Sequence, residues 1–268
     1  MSTRGAQCNL GLDQRCRDRD GEIRQKWSDT LVRALFQESS DAVLNLHRLA
    51  TLLGPEVASA RVRAVRDQVW ERAWLSDWKS MRFGRRLWVC PRAAEAPADP
   101  DAVVVRLDPG LAFGTGTHPT TALCLQALDS MSLAGRSVID YGCGSGILSV
   151  AALKLGAERV IAVDLDPQAL LATRDNAARN GVSAQITVQG IDAALPACHC
   201  VVANILAGPL IELAPKLTAA CEPGGRILLS GLLKSQAYAV TAAYAAGFDM
   251  VQVIERDEWC CISARRTP

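Results

Sequence analysis

Val138-Ile139-Asp140-Tyr141-Gly142-Cys143-Gly144-Ser145-Gly146 is the stretch on which the fold turns. Two β-branched residues lead into a carboxylate, three glycines follow at alternate positions, and an apolar helical pattern over 146–155 begins at once. A strand that feeds directly into a helix through glycines reads as the first βα turn of a parallel sheet. There the missing Cβ atoms let the backbone turn sharply and approach a ligand at the helix N-terminus. The spacing is G-x-G-x-G: Ile147 occupies the place that a dinucleotide fingerprint gives to its third glycine. An ordinary tight turn also uses glycine, so the loop by itself names no ligand.

Outward from this loop, strands and helices alternate. Short runs rich in Val and Ile at 103–107, 137–140, 160–164, 186–189, 200–204 and 226–230 predict strands. Helical patterns at 119–130, 146–155, 167–180, 207–221 and 235–247 lie between most of them, and 249–256 with 260–265 predicts a terminal hairpin. Alternation of this kind specifies βαβ units and a largely parallel, Rossmann-like sheet of the α/β class over 101–268. The N-terminal third differs. Residues 1–20 read as an irregular arm, and 21–66 as a short α+β pattern. Its strands are expected at 30–36 and 58–65, with a helix at 41–53 capped near Ser39 or Ser40. Residues 67–78 predict a connector helix with Val69, Trp70, Ala73, Trp74 and Trp78 on one stripe. A strand at 85–89 and an Ala/Pro-rich linker at 91–100 follow, so a domain boundary is expected between 66 and 100.

Composition narrows the class. The chain has 268 residues, 49% hydrophobic and 21% charged, enough apolar material for a core and unlike a disordered chain. No apolar run approaches the roughly 18 residues that a bilayer span requires, and the first twenty residues lack the apolar core of a secretory signal. A cytoplasmic protein is expected. The formal charge of +1 is unevenly spread: 17 basic and 11 acidic residues over 1–92 give +6, and 12 and 17 over 93–268 give −5. That total is too neutral for a generic nucleic-acid binder. Ten cysteines include no C-x-x-C pair, which reads as reduced thiols used as small core residues. Cys198-His199-Cys200 lacks the second ligand pair of a zinc site, so no metal is expected.

The acids around the loop point to a ligand. Asp140, at the end of the strand, would repel a pyrophosphate but suits a cationic group, and S-adenosylmethionine carries a sulfonium and an ammonium with no phosphate. Asp164 ends the second strand, 22 residues after Gly142, where a carboxylate accepts hydrogen bonds from ribose hydroxyls. The competing reading makes both acids plain strand-end caps. Gly142 and Gly144 are the expected close-approach positions. Asp192, after the third strand, is either an adenine contact or a loop residue. A second motif runs from Asp108 to Thr121, with flexible Gly114 and Gly116 and hydroxyls ahead of a helix that Pro119 starts. Thr117 or His118 is its cap, His118 being read as structural in preference to a base, and Phe113 is placed beside the cationic centre. In the third motif, Val201 to Leu206, Asn204 stands at the end of a central strand where open α/β sheets place their chemistry. Its amide oxygen can accept an amine N–H; its alternative role is the cap of the following helix.

Together these motifs resemble the large-subunit ribosomal protein methyltransferase (PrmA) family. The resemblance runs from about 67 to 266 and includes the Trp78-to-Trp88 segment, the Phe113-to-Thr121 loop, Asp164-Leu165-Asp166-Pro167, Asn204 to Leu210, and Glu258-Trp259-Cys260. It implies cofactor contacts at Thr121, Gly142, Asp164 and Asn204. The implied fold is a seven-stranded methyltransferase sheet preceded by a small ferredoxin-like substrate-recognition domain. In the family a β-α unit and another strand precede the region matching 22–66; here the Arg/Cys-rich arm stands in their place, so this domain reads as truncated. The implied activity is methyl transfer from S-adenosyl-L-methionine to lysine side chains and the N-terminal amine of a large-subunit ribosomal protein. A lysine amine, with an ordinary pKa of about 10.4, must first lose its proton, which desolvation beside a like charge promotes. Asn204 is the expected amine-positioning residue, and no residue stands out as a base. The expected enzyme is a monomer with no nucleic-acid readout. Two rivals remain at this point: a catalytically impaired ribosome-assembly factor that keeps the cofactor pocket, and a nicotinamide-dependent oxidoreductase, which Ile147 and Asp140 disfavour.

Overall fold

The computed structural model describes residues 79–107 (apart from 93 and 96) and 118–268 with their side chains. It also describes the strand backbones Gly5–Leu12, Cys16–Arg17, Ile23–Arg24, Thr30–Gln37 and Val57–Val65. The chain divides into two compact units, Met1–Ala73 and Trp74–Pro268. The expected helices at 41–53 and 67–78 and the loop from Asp108 to Thr117, with Phe113, lie outside the described residues.

In the first unit, β1 (Gly5–Leu12) lies between β4 (Thr30–Gln37) and β5 (Val57–Val65), antiparallel to both. The short β2 (Cys16–Arg17) and β3 (Ile23–Arg24) pair antiparallel. The strands expected at 30–36 and 58–65 match β4 and β5. The irregular arm expected over 1–20 does not: Ala6, Cys8, Leu10 and Leu12 recur at every second position, a period-2 pattern that the dense charge of the following residues obscures.

The second unit starts with a three-stranded sheet, β6 (Met81–Phe83), β7 (Leu87–Cys90) and β8 (Val103–Arg106). Here the sequence reading needs two corrections. Residues 85–89 are not one strand, because Gly84, at φ +74°, and Arg85–Arg86 form the β6–β7 turn. That turn is held by Asp129 Oδ2, which accepts from the N–H groups of Arg85 and Arg86. And β8 pairs in parallel with β7 rather than entering the main sheet. Its exposed edge is met by Asn180, whose amide exchanges two 2.7 Å hydrogen bonds with the backbone of Arg106.

The main sheet has seven strands. β9 (Ser137–Tyr141), β10 (Arg159–Asp164), β11 (Ile186–Gly190), β12 (Cys198–Asn204) and β13 (Cys221–Leu233) are parallel, and the hairpin β14 (Phe248–Arg256) and β15 (Trp259–Arg266) adds antiparallel to β13. The spatial order is β11-β10-β9-β12-β13-β15-β14. Alternate strand residues feed two cores. Val138, Val160, Val202 and Leu228 pack with α1 (Pro119–Ser130), α2 (Ile147–Lys154) and part of α3 (Pro167–Arg179). Ile139, Ile161, Val201 and Leu229 pack with α4 (Ala207–Glu212), α5 (Ala214–Ala219) and α6 (Ala237–Tyr244) on the other face. Burial on both faces explains why these strands read as unbroken apolar runs. The helix expected over 207–221 is interrupted at Leu213, which ends α4 and starts α5; Pro215 has no N–H to donate back into α4.

Strand order reverses between β9 and β12, so their C-terminal ends open a crevice, the position at which open α/β sheets bind ligands. At the far edge, β14 carries exposed Met250, Val251, Val253 and Ile254, and its pairing with β15 is interrupted between Asp249 and Gln252, where Met250 adopts φ +47°. The eight described cysteines are all free and buried. A register shift between Cys198 and Cys200 sends their thiols into opposite cores, so the pair flanking His199 shares no common side. Among the described residues, no helix is long and apolar enough to cross a membrane.

Candidate active site: a cleft at the ends of β9 and β12

After Tyr141 the chain turns through Gly142 (φ +79°), Gly144 and Gly146, all in the left-handed region. The loop is fixed from two sides. Val163 O, on β10, accepts from Gly142 N (2.7 Å) and Cys143 N (3.0 Å). From α3, buried Thr173 donates to Gly144 O (3.1 Å) and Asn176 Nδ2 donates to Ser145 O (2.8 Å). A Cβ on Gly142 would lie 2.3 Å from Ile205 Cγ2, so the residue after Asn204 presses directly on the first glycine. The loop is thereby a preorganised backbone cradle.

Asp164 stands at the open edge of that cradle. Its Oδ2 accepts from Gly144 N (2.9 Å) and its Oδ1 from Asp166 N (3.0 Å), so the carboxylate is oriented by backbone donors with lone pairs remaining for a ligand. Asp140 is placed differently. It is 1% exposed, lies beneath the loop, and is absent from the cleft wall. Ser149 donates to its Oδ2 at 2.6 Å, and Oδ1 has no partner. Burial raises its pKa from 3.8 to about 6, against the opposing hydrogen bonds from Ser149.

On the other side of the crevice, Asn204 ends β12, and its Nδ2 donates to Thr121 Oγ1 of α1 at 3.3 Å. Asn204 does not cap the next helix; Leu206 occupies that position and makes no side-chain cap. Helix α1 is itself well anchored. His118 is its N-cap, with Nδ1 2.8 Å from Thr120 Oγ1 and its ring edge-on to Trp259. Ser230 Oγ contacts both Thr120 O and Cys260 O, tying the first turn to the sheet.

These elements enclose a cleft of about 490 Å³ lined by Thr121, Gly142, Gly144, Asp164 and Asn204, among others. Five of the seven sequence-expected positions thus line one cleft, Asp140 lies beneath it, and Phe113 falls outside the described residues. Asp192 is exposed and off the lining, whereas its neighbour Ile191 is on it. Apolar wall residues were not singled out from the sequence: Tyr141, Leu165, Ile191, Ile205 and Leu206. Leu165 is 78% and Leu206 70% exposed. Their signal was available, since each ends a strand or lies within two residues of a strand's C-terminal end, at the open end of the sheet. Among the described residues, no Lys, Arg or His lines the cleft, while Asp164 and Glu212 do. Such a wall fits a ligand with an apolar face, hydroxyls and positive charge, and opposes a pyrophosphate.

Comparison with known proteins identifies the family. The family described as ribosomal protein L11 methyltransferase (PrmA) matches residues 6–267, reaching well beyond the 67–266 resemblance. A Pseudomonas aeruginosa protein named ribosomal protein L11 methyltransferase is 54% identical over 242 residues, covering 90% of this chain and 82% of the relative. One of the same name from Vibrio cholerae is 51% identical over 254 residues, covering 92% and 84%. The crystal structure of a ribosomal protein L11 methylase from Lactobacillus delbrueckii subsp. bulgaricus superposes with a TM-score of 0.64 at 31% identity, covering 71% of this chain and all of that one. With a family match over nearly the whole length and relatives above one-half identity, the chain belongs to the ribosomal protein L11 methyltransferase (PrmA) family.

Proposed function

We propose that this chain methylates amines of a large-subunit ribosomal protein, using S-adenosylmethionine held in the cleft between β9 and β12. The observation that carries the reading is the joining of Asn204 to Thr121 on the lip of a cleft that, among the described residues, is lined by the carboxylates of Asp164 and Glu212 and by no cationic side chain. When bound, the cofactor supplies an electrophilic methyl group on a sulfonium. The roles of the residues follow from their placement. Gly142 and Gly144 leave room for close approach of the ligand to the backbone. Asp164, already oriented by two N–H donors, accepts from ribose hydroxyls. Leu165 and Ile191 supply apolar walls for a planar base.

With Nδ2 engaged by Thr121, the carbonyl oxygen of Asn204 is the acceptor for an incoming amine N–H. An amine so held keeps its lone pair free to point into the cleft, and the catalytic contribution is mainly orientation. Neutralisation of the amine follows from desolvation and from the neighbouring positive charge. Asp140 acts from beneath, its carboxylate biasing the cradle toward cations. The first unit, Met1–Ala73, is assigned to substrate recognition, and the chain is read as a cytoplasmic monomer that addresses its substrate as protein rather than through nucleic acid.

The test is incubation of the purified ribosomal protein with this enzyme and S-adenosylmethionine, followed by intact-mass measurement. Mass increments of one methylene per transferred methyl are expected. Asn204→Ala is expected to lower kcat about 100-fold with cofactor binding retained; unchanged turnover removes the role given to Asn204, and an unmodified mass with wild-type enzyme overturns the activity.

A further inference from the structure

Lys216, on α5, is half-buried on the side of the sheet opposite the glycine loop's supporting helix. Its ammonium lies 5.3 Å from the centre of the Tyr141 ring and 3.4 Å from the Tyr141 hydroxyl, and donates to Ile191 O at 2.8 Å. Tyr141 ends β9, the central strand of the crevice, and Ile191 follows β11, the edge strand; β10 lies between them. One side chain therefore spans three strand ends, and both residues it touches line the cleft.

The need for such a brace is visible in the turn after β11. As an edge strand, β11 is paired on one side only. The turn itself holds little else: Ala193 N reaches Gly190 O at 3.3 Å and Gln189 Nε2 reaches Ala194 O at 3.3 Å, both near the weak limit for a hydrogen bond. Lys216 makes the short contact. An ammonium over a tyrosine face is attracted by the ring quadrupole, and this second attachment fixes the direction of the Nζ–H that reaches Ile191.

We infer that Lys216 is a positioning residue for the nucleoside end of the cleft, holding Ile191 at a fixed distance from Tyr141 and Leu165 so that the base enters a slot already formed. The inference rests on the functional reading above for the identity of the ligand. Without the brace, the wall is ordered only when the ligand arrives, and the ordering cost appears as weaker binding. Chemistry at Asn204, on the other side of the crevice, is untouched.

The experiment measures binding by calorimetry with two probes, S-adenosylmethionine and adenosine, for wild type, Lys216→Met and Lys216→Arg, with kcat at saturating cofactor and Tm of the free protein alongside. Lys216→Met keeps the apolar stem and removes the donors. Its Kd is expected to rise about tenfold for both probes, the cost of ordering an unbraced wall on binding, with kcat within twofold of wild type and Tm lower by at most about 3 °C. Lys216→Arg, which keeps the charge and can stack on Tyr141, is expected to recover most of the affinity. An unchanged Kd in Lys216→Met overturns the inference. So does a rise for S-adenosylmethionine without one for adenosine, or a parallel fall in kcat and Tm, which would make the role merely structural. Wild type that binds adenosine but not S-adenosylmethionine would instead overturn the methyl-donor reading, while the adenosine comparison still decides the role of Lys216.

Discussion

Asp140 is the residue at which the chemistry of the site and the stability of the fold meet. Its carboxyl is buried with one oxygen unpartnered, and burial lifts its pKa from 3.8 to about 6. The folded state thus holds this proton more tightly than the unfolded state. The contribution to stability is fully present below pH 3.8 and is lost as pH rises through about 6. Asp140→Asn removes that dependence, so the variant's stability relative to wild type is expected to climb between pH 4 and 7 by up to about 3 kcal/mol. Urea unfolding at the two pH values checks this; a pH-independent difference would contradict it. Cofactor affinity is expected to fall in the same variant, since the charge beneath the cradle is gone. Gly142 offers a second test. Its φ of +79° and the 2.3 Å approach of Ile205 Cγ2 make Gly142→Ala both strained and crowded. A loss of about 2 kcal/mol or more is expected. Adding Ile205→Ala to the Gly142→Ala chain should return the crowding part and leave the backbone part, so a double-mutant cycle with zero coupling would refute the contact.

Among the elements, α1 ties the cleft to the small sheet. Its first turn presents Thr121 to Asn204, and its last turn carries Asp129, which accepts from two backbone N–H groups of the β6–β7 turn and lies 3.8 Å from Arg86 Nε. Asp129→Ala strips the acceptor from donors that the turn holds partly buried, a loss of about 2–3 kcal/mol, measurable as a lower urea midpoint; no shift would mean that water replaces the carboxylate. The limits of α1 were legible because Pro119 and a capping side chain mark its start. The break at Leu213 was not, since apolar spacing continues across it and only the missing N–H of Pro215 divides the two helices. The split of 85–89 into turn and strand was likewise hidden, because what bends the chain at Gly84 is a carboxylate 45 residues away in sequence. The open-end strand residues Asp164 and Asn204 were readable from motif and position. The supporting Thr173 and Asn176, and Lys216, were not, because side-chain bridges between separate helices and loops leave no periodic trace.

For the molecule as a whole, the parallel sheet was written in the alternation of apolar runs and helical patterns, whereas its order β11-β10-β9-β12-β13-β15-β14 depends on which edges pair, a non-local property. β8 joins β7 and not the main sheet for the same reason: three consecutive valines carry no label for their partner. The cysteines follow the same division. Their burial was readable from isolation and composition; burial pushes the thiols of Cys143, Cys198, Cys200, Cys221 and Cys260 upward, Cys221 to about 12, and a hydrogen bond with Cys261 together with burial does the same for Cys124. Peptide mapping after maleimide treatment is therefore expected to find these six unlabelled in the native protein and labelled in denaturant; rapid native labelling would contradict the packed core. The outer margin of the sheet has a further consequence. β14 displays Val251, Val253 and Ile254 beside open backbone groups, yet the dislocation at Met250 breaks the regular spacing that an added strand would have to match. That irregularity works as a guard against templated polymerisation, and deleting Met250 to straighten the margin should promote fibre formation.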